Sequence, residues 1–262
     1  MVDEQLLGRG RTAEIYAHGE RRVAKLLLPG FDAEMLALEG RKTQAAHDAG
    51  APAPATHGAV TVAGRPGYLF DRVDGPVMLD ELRARLWRYR HHADLLARVH
   101  ADVHARSTDA LPDVKEKLAA QIDQAADIGP TTRRRAKDRL RELDDGDRVL
   151  HGDLHPGNIV LTRDGPAVID WMDAARGDPA ADVARTLWLL SPPVLGPEAG
   201  RIQGGFLTVF RRRYLRGYLA ATGSAAADIH PWRLPVLAAR LAEGIEYETA
   251  ALLSGIEELT SD

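Results

Sequence analysis

The sequence predicts an α+β chain of two lobes, a small antiparallel β lobe with one helix over residues 1–74 and a larger, mostly helical lobe over residues 75–262. Two contrasts carry this expectation. Short β-type runs separated by glycine turns fill the first 73 residues, whereas long stretches with apolar residues at helical spacing dominate from Gly75 onward. The tripeptide "DGP" at 74–76 is the good hinge between the two textures.

The elements follow in order. "EQLLG", "TAEIYAHG" and "RRVAKLLL" read as a three-strand meander. "FDAEMLALEGRKTQAAHDAG" has helical spacing and stops at Gly50 before "APAP". "ATHGAVTV" and "YLFDRV" then flank the turn "AGRPG" as a hairpin. Helices are expected over roughly 78–106, 113–127, 131–144, 180–191, 203–222 and 232–254, interrupted by strands within 148–170. A small lobe joined to a large one by a single crossing creates a cleft by construction.

Composition bounds the function. The 262 residues are 45% apolar, enough for a substantial core. No cysteine is present, which removes disulfides, thiolate metal sites and cysteine nucleophiles. "MVDEQLLGRG" has acidic residues where a secretory signal is basic, so a cytoplasmic location is expected. No apolar run approaches the length that spans a bilayer, so no membrane partner is expected. A net charge of −4, from 38 acidic and 34 basic residues, argues against a nucleic-acid partner. Residues 231–262 alone carry six carboxylates against Arg233 and Arg240. Nothing in the sequence fixes the oligomeric state.

The chemistry concentrates in "HGDLHPGNIVLTRDGPAVIDW", residues 151–171. If "NIVLT" and "PAVID" pair through "RDGP", the hairpin returns Asp170 to the side of Asn158. One carboxylate and one amide oxygen suit Mg²⁺, a hard ion that keeps positions open for water and phosphate. Asp153 is then left for a different job, orienting a substrate hydroxyl and accepting its proton as it attacks phosphorus.

"HGDLHPGN" followed by "VIDW" resembles the catalytic loop and metal-binding aspartate of the aminoglycoside phosphotransferase family, enzymes that phosphorylate small molecules. "LGRGRTAEIY", "VAKLL", "GAPAP" and "GDPAADVAR" are similar to further family segments in the same order. The resemblance implies a two-lobed protein-kinase-like fold, ATP or GTP as phosphoryl donor, Mg²⁺ as cofactor, and a small-molecule hydroxyl acceptor such as an aminoglycoside or other hydroxylated antibiotic. A kinase of a metabolite or nucleoside-type compound and a non-catalytic nucleotide-binding protein are the alternatives.

It also makes a demand on the first lobe: a strand lysine for the α- and β-phosphates and a helix carboxylate to fix it. Lys25 meets the first. For the second, the resemblance implies Glu39, placed about three helical turns before the "GAPAP" corner as in the family, with Glu34 as fallback. Gly8 and Gly10 would form a phosphate-covering turn, in which Ala13 replaces the third glycine of the protein-kinase pattern. The adenine edge would meet the Asp71 carbonyl and the Val73 N–H. His155 stands where protein kinases carry lysine, and no long activation segment follows "IDWMD", so protein substrates are not expected.

Other candidates have plainer readings. His100 and His104 have metal-ligand spacing, but Ala101 stands where a zinc hydrolase needs Glu, and no third ligand is evident. His151 is expected to pack and to bond the loop backbone, and Asp178 and Asp182 to cap a helix and tie it to the loop. Asp173, Glu243 and Glu246 have two readings. Glu243 and Glu246 would share a helix face, with Arg240 pairing Glu243 at i, i+3. Alternatively, the three acids attract a polycationic acceptor.

Overall fold

The computed structural model describes residues 5–10, 12–198 and 200–261. It divides into two compact units, Met1–Glu81 with Pro156–Ala174, and Leu82–His155 with Ala175–Asp262. The first unit is therefore not the N-terminal segment alone. It takes in the hairpin that follows the "HGDLH" loop.

In the first unit the expected meander is present as β1 (Leu6–Arg9), β2 (Ala13–His18) and β3 (Arg22–Leu27). The helix is α1 (Ala33–Asp48), and the hairpin is β4 (Thr56–Val62) with β5 (Arg65–Asp71). The five strands form one antiparallel sheet in the order β1-β2-β3-β5-β4. The helix starts at Asp32, whose carboxylate accepts from the Glu34 N–H at 3.0 Å, and Gly50 follows its end at φ 82°. The β4–β5 turn is tighter than expected: Ala63 and Gly64 alone make it, both with positive φ, as a two-residue hairpin with right-handed strand twist requires. Pro66 then falls inside β5, opposite Thr61. Ala24, Leu26, Val62 and Leu69 form the sheet's buried core. Helix α1 lies so close to β5 that a Cβ on Gly40 would stand 2.2 Å from the Tyr68 ring.

The second hairpin of this unit is β7 (Ile159–Thr162) with β8 (Gly165–Val168), joined by Arg163 and Asp164. Main-chain bonds bind it to the rest of the unit, from Leu161 N–H to Pro76 O at 2.9 Å and from Val168 N–H to Pro52 O at 2.7 Å.

The second unit is mostly helical. It contains α3 (Tyr89–His104), α4 (Val114–Gln124), α5 (Pro130–Glu142), α6 (Pro179–Leu189), α7 (Arg201–Thr222), α8 (Ala226–Ile229), α9 (Arg233–Arg240) and α10 (Glu246–Ser261), with α2 (Met78–Ala84) spanning the boundary. A short ladder pairs β6 (Arg148–Leu150) with β9 (Ala175–Gly177), Leu150 opposite Ala175. Helices α3 and α7 approach closely at Gly217, where a Cβ would stand 3.0 Å from Ala97 Cβ.

Two expected long helices are broken. The stretch 78–106 divides at Arg85 (φ −138°, ψ 63°), followed by a 3₁₀ turn at Leu86–Arg88. The stretch 232–254 divides at Gly244, which takes the left-handed conformation at φ 62° and stops the 3₁₀ turn Leu241–Glu243. Among the described residues, no helix is long and apolar enough to cross a membrane.

Candidate functional site

Three charged residues of the first unit converge. Lys25, central on β3 between Ile15 and Tyr68 of the neighbouring strands, places Nζ 2.7 and 2.8 Å from the two Glu39 oxygens and 3.4 Å from Asp170 Oδ1. Glu39 is 3% exposed, so this ion pair is largely dry. Burial pushes the Lys25 ammonium down, but the Glu39 and Asp170 charges outweigh it and hold its pKa above the ordinary lysine value. Of the two glutamates considered, Glu39 is the partner. Glu34 instead pairs with Arg41 at 2.7 Å on the exposed side of α1.

Asp170 owes its position to the β7–β8 hairpin. Ile159 pairs with Val168, and Ile169 N–H donates to Asn158 O at 3.0 Å, so Asn158 lies across from the residue preceding Asp170. Asp170 itself has φ 65°, a left-handed conformation that Asp tolerates better than most residues. The chain is fixed on its far side by Lys42 Nζ, which donates to Met172 O at 2.7 Å, and by the fully buried Trp171, whose Nε1–H donates to Val168 O at 2.8 Å. Asn158 is buried at the end of a 3₁₀ turn. The hairpin thus brings the Asn158 backbone beside Ile169, with Asp170 next in the chain.

Gly8 lies in β1, and a Cβ there would meet nothing within 4 Å. The Gly10 N–H is committed to Ala13 O at 2.8 Å, closing the β1–β2 turn. Asp71 ends β5, its N–H bonded to Ala55 O and its carboxylate 2.7 Å from His57 Nε2, and Val73 follows beyond the strand. Asp173 lies in the turn after Trp171.

In the second unit, Asp153 belongs to the loop after β6. His155 Nε2 is 3.7 Å from Asp153 Oδ2, and Arg185 Nη2, from α6, is 3.7 Å from Oδ1. Burial raises its pKa, but the neighbouring His155 imidazole and the Arg185 charge prevail and hold the carboxyl at about 2. The loop backbone is tied to α6: His151 N–H and Gly152 N–H donate to the Asp182 carboxylate at 2.6 and 3.0 Å, and Thr186 Oγ1 donates to Leu154 O at 2.9 Å. Asp178 caps α6 through Ala180 N–H at 2.8 Å. His151 is fully buried, with Nδ1 accepting from Asp153 N–H at 3.2 Å. These scaffold expectations hold. One does not: a third group does accompany His100 and His104, because α6 brings the Asp182 carboxylate against both imidazoles.

The expected acidic wall also needs correction. Glu243 and Glu246 do not share a helix, since Gly244 separates the turn holding Glu243 from α10. Glu243 is bound by both Arg185 and Arg240. Arg240 also forms a bidentate, buried pair with Glu248, at 2.7 and 2.9 Å, and Trp188 Nε1–H donates to the same glutamate at 2.7 Å. Arg185 and Glu248 received no role from the sequence, whereas Arg240 pairs with Glu243 at i, i+3 as one of the two readings had it. Arg185 ends the quoted "GDPAADVAR" stretch, and its place on the same helix as Asp182 is the signal that could have found it.

The profile of the phosphotransferase enzyme family matches residues 4–243. Among solved structures, the GDP complex of wild-type aminoglycoside 2'-phosphotransferase-IIIa superposes with a TM-score of 0.59 at 17% identity, over 98% of this chain and 92% of that one. Aminoglycoside phosphotransferase APH(3'')-Id from Streptomyces rimosus does so with a TM-score of 0.61 at 18% identity, over 92% and 93%. A choline/ethanolamine kinase family protein from Mesorhizobium loti gives 0.56 at 13%, over 98% and 88%. At such identities the likeness is one of fold. No curated protein matches in sequence.

Proposed function

Because the chain belongs to the phosphotransferase enzyme family, we propose that it moves the γ-phosphoryl group of ATP or GTP to a hydroxyl of a small molecule, an aminoglycoside or other hydroxylated antibiotic being the first acceptor to test. The observation that carries this reading is the Lys25–Glu39–Asp170 constellation, a half-buried strand lysine held by two carboxylates, together with an Asp153 carboxylate kept ionised by its own neighbours.

In this reading residues 1–74 form the nucleotide lobe, and residues 75–262 carry the catalytic loop and the acceptor site. Lys25 binds the α- and β-phosphates, with Glu39 holding the ammonium in place. The open space above Gly8 leaves room for phosphate near the backbone, with Gly10 shaping the turn. The Asp71 carbonyl and Val73 N–H meet the adenine edge. Asn158 and Asp170 offer the hard oxygen donors that Mg²⁺ prefers; when bound, the ion would neutralise phosphate charge. Asp153 orients the acceptor hydroxyl and takes its proton. A carboxyl with a pKa of about 2 is a weak base, so its work is mainly positioning, with the proton arriving late as the oxygen–phosphorus bond forms. Asp173, Glu243 and Glu246 are the acceptor-side acids of this proposal.

A second acceptor class, a metabolite hydroxyl, is favoured by one observation: two arginines already neutralise Glu243, which weakens its pull on a polycation. Mg²⁺-dependent thermal stabilisation by ATP and GTP, followed by transfer to panels of aminoglycosides and small alcohols, tests the reading. Nucleotide binding with transfer to a hydroxyl supports it; nucleotide binding without transfer to any member of either panel counts against it. The absence of a membrane or nucleic-acid partner and a cytoplasmic location belong to the same proposal.

A further inference from the structure

The contact between α3 and α7 contains two buried polar rungs. His100 Nδ1 lies 2.6 Å from the Tyr214 hydroxyl, and His104 Nδ1 lies 2.8 Å from the Tyr218 hydroxyl. Across from the tyrosines, Nε2 of each imidazole faces Asp182 Oδ2, at 3.2 Å for His100 and 3.3 Å for His104. The same carboxylate accepts the N–H groups of His151 and Gly152, the two residues before Asp153. All of these side chains are buried, with none more than 5% exposed.

The proton inventory at His104 has one consistent solution. Burial, helped by the neighbouring His100, holds the His104 imidazole down to about 4, so it is neutral at ordinary pH and carries one N–H. Were that proton on Nδ1, an Nε2 lone pair would point at the Asp182 carboxylate, two acceptors facing each other in a dry interior. With the Tyr218 hydroxyl donating to Nδ1, the proton is on Nε2 and donates to Asp182. The tyrosine thus selects the tautomer, and the tautomer fixes the carboxylate.

We propose that His104, oriented by Tyr218, is a positioning residue for the catalytic loop: it fixes the Asp182 carboxylate that holds the His151 and Gly152 backbone and so aims Asp153. The inference rests on the reading of residues 151–158 as a catalytic loop. A fixed carboxylate keeps both oxygens on the two loop amides, whereas one that lost a donor could rotate and release one of them.

The test compares two substitutions of similar polarity. In His104→Gln the amide nitrogen reaches the place of Nε2 and can still donate to Asp182; in His104→Asn the shorter side chain cannot. Tyr218→Phe keeps the ring and removes the tautomer-setting hydroxyl, with less risk to folding. Two readouts are taken on the full chain: amide hydrogen exchange in the peptide covering residues 149–155, and kcat with KM for the nucleotide.

His104→Asn and Tyr218→Phe should speed exchange in that peptide about fivefold to tenfold, with peptides from β2 and β3 unchanged, and should lower kcat by a similar factor at constant nucleotide KM. His104→Gln should stay close to wild type in both. Equal behaviour of Gln and Asn, exchange rising evenly along the chain, or stoichiometric zinc in the purified wild-type protein, which would make the Nε2 atoms ligands, overturns the proposal. A wild-type protein without transfer activity refutes the phosphotransferase reading instead, and the exchange contrast still decides whether His104 holds the loop.

Discussion

Replacing Glu39 with glutamine keeps the side chain's size and removes its charge from a nearly dry site. Lys25 Nζ sits 2.7 and 2.8 Å from the two carboxylate oxygens, and the side chains are 15% and 4% exposed. At an effective dielectric of about 20, two unit charges that close attract by roughly 6 kcal/mol, part of which offsets their desolvation. Removing one partner of a buried pair typically costs about 3–5 kcal/mol, because the other charge stays buried. Asp170, 3.4 Å away and half exposed, remains to compensate Lys25, which places the expected loss near the low end, about 3 kcal/mol. Urea unfolding should show this as a lower midpoint at unchanged slope. The ATP dissociation constant should rise about tenfold as the lysine loses its fixed position. The control is Glu34→Gln, whose pair with Arg41 is exposed on both sides and should change stability by less than about 0.5 kcal/mol. A Glu39→Gln protein as stable as wild type, or a Glu34→Gln protein equally damaged, would refute the reasoning.

Other perturbations follow from the same structure. Gly75→Ala would put a Cβ 2.3 Å from the Leu161 carbonyl oxygen, a backbone atom that cannot rotate away, and thermal unfolding should report a loss of about 1–3 kcal/mol. Arg240→Met leaves Glu248 buried at 1% exposure without its bidentate partner; a loss of about 3–5 kcal/mol in urea unfolding is expected. For Asp153, a folded pKa of about 2 against an ordinary 3.8 means that its contribution to stability is complete above about pH 4 and disappears as pH falls through about 2. Arg185→Gln should move that carboxyl up toward its ordinary value, read by NMR titration of its side-chain carbon.

The sequence made the first-unit site legible because its signals are local. A lone lysine among apolar strand residues, a turn between two β runs, and the spacing from Asn158 to Asp170 are all local patterns, whereas Glu39 was singled out by the family resemblance, and it is helix α1 that brings it to Lys25. Gly244 also announced the break between α9 and α10, although the apolar spacing across it read as one helix. Arg85 announced nothing: arginine is a good helix former, and no local rule marks the break there. The Arg240–Glu243 pair was legible as an i, i+3 spacing, but the Arg185–Glu243 pair and the contacts of His100 and His104 with Asp182 were invisible for a different reason. They join α3, α6 and the turn after α9, elements far apart in sequence, and side-chain pairing at that distance leaves no periodic trace. Of the two readings of Glu243, the pair with Arg240 is present, and Arg185 joins it there from a helix the sequence did not connect to it.

The central claim concerns Asp153, and Asp153→Asn tests it most directly because asparagine preserves size while removing the acceptor of the hydroxyl proton. Phosphoryl transfer from ATP or GTP to the best acceptor, followed by ³¹P NMR beside a nucleotide-binding titration, should show transfer reduced at least about a thousandfold with the nucleotide dissociation constant within about twofold of wild type. Transfer at the wild-type rate in Asp153→Asn would contradict the account.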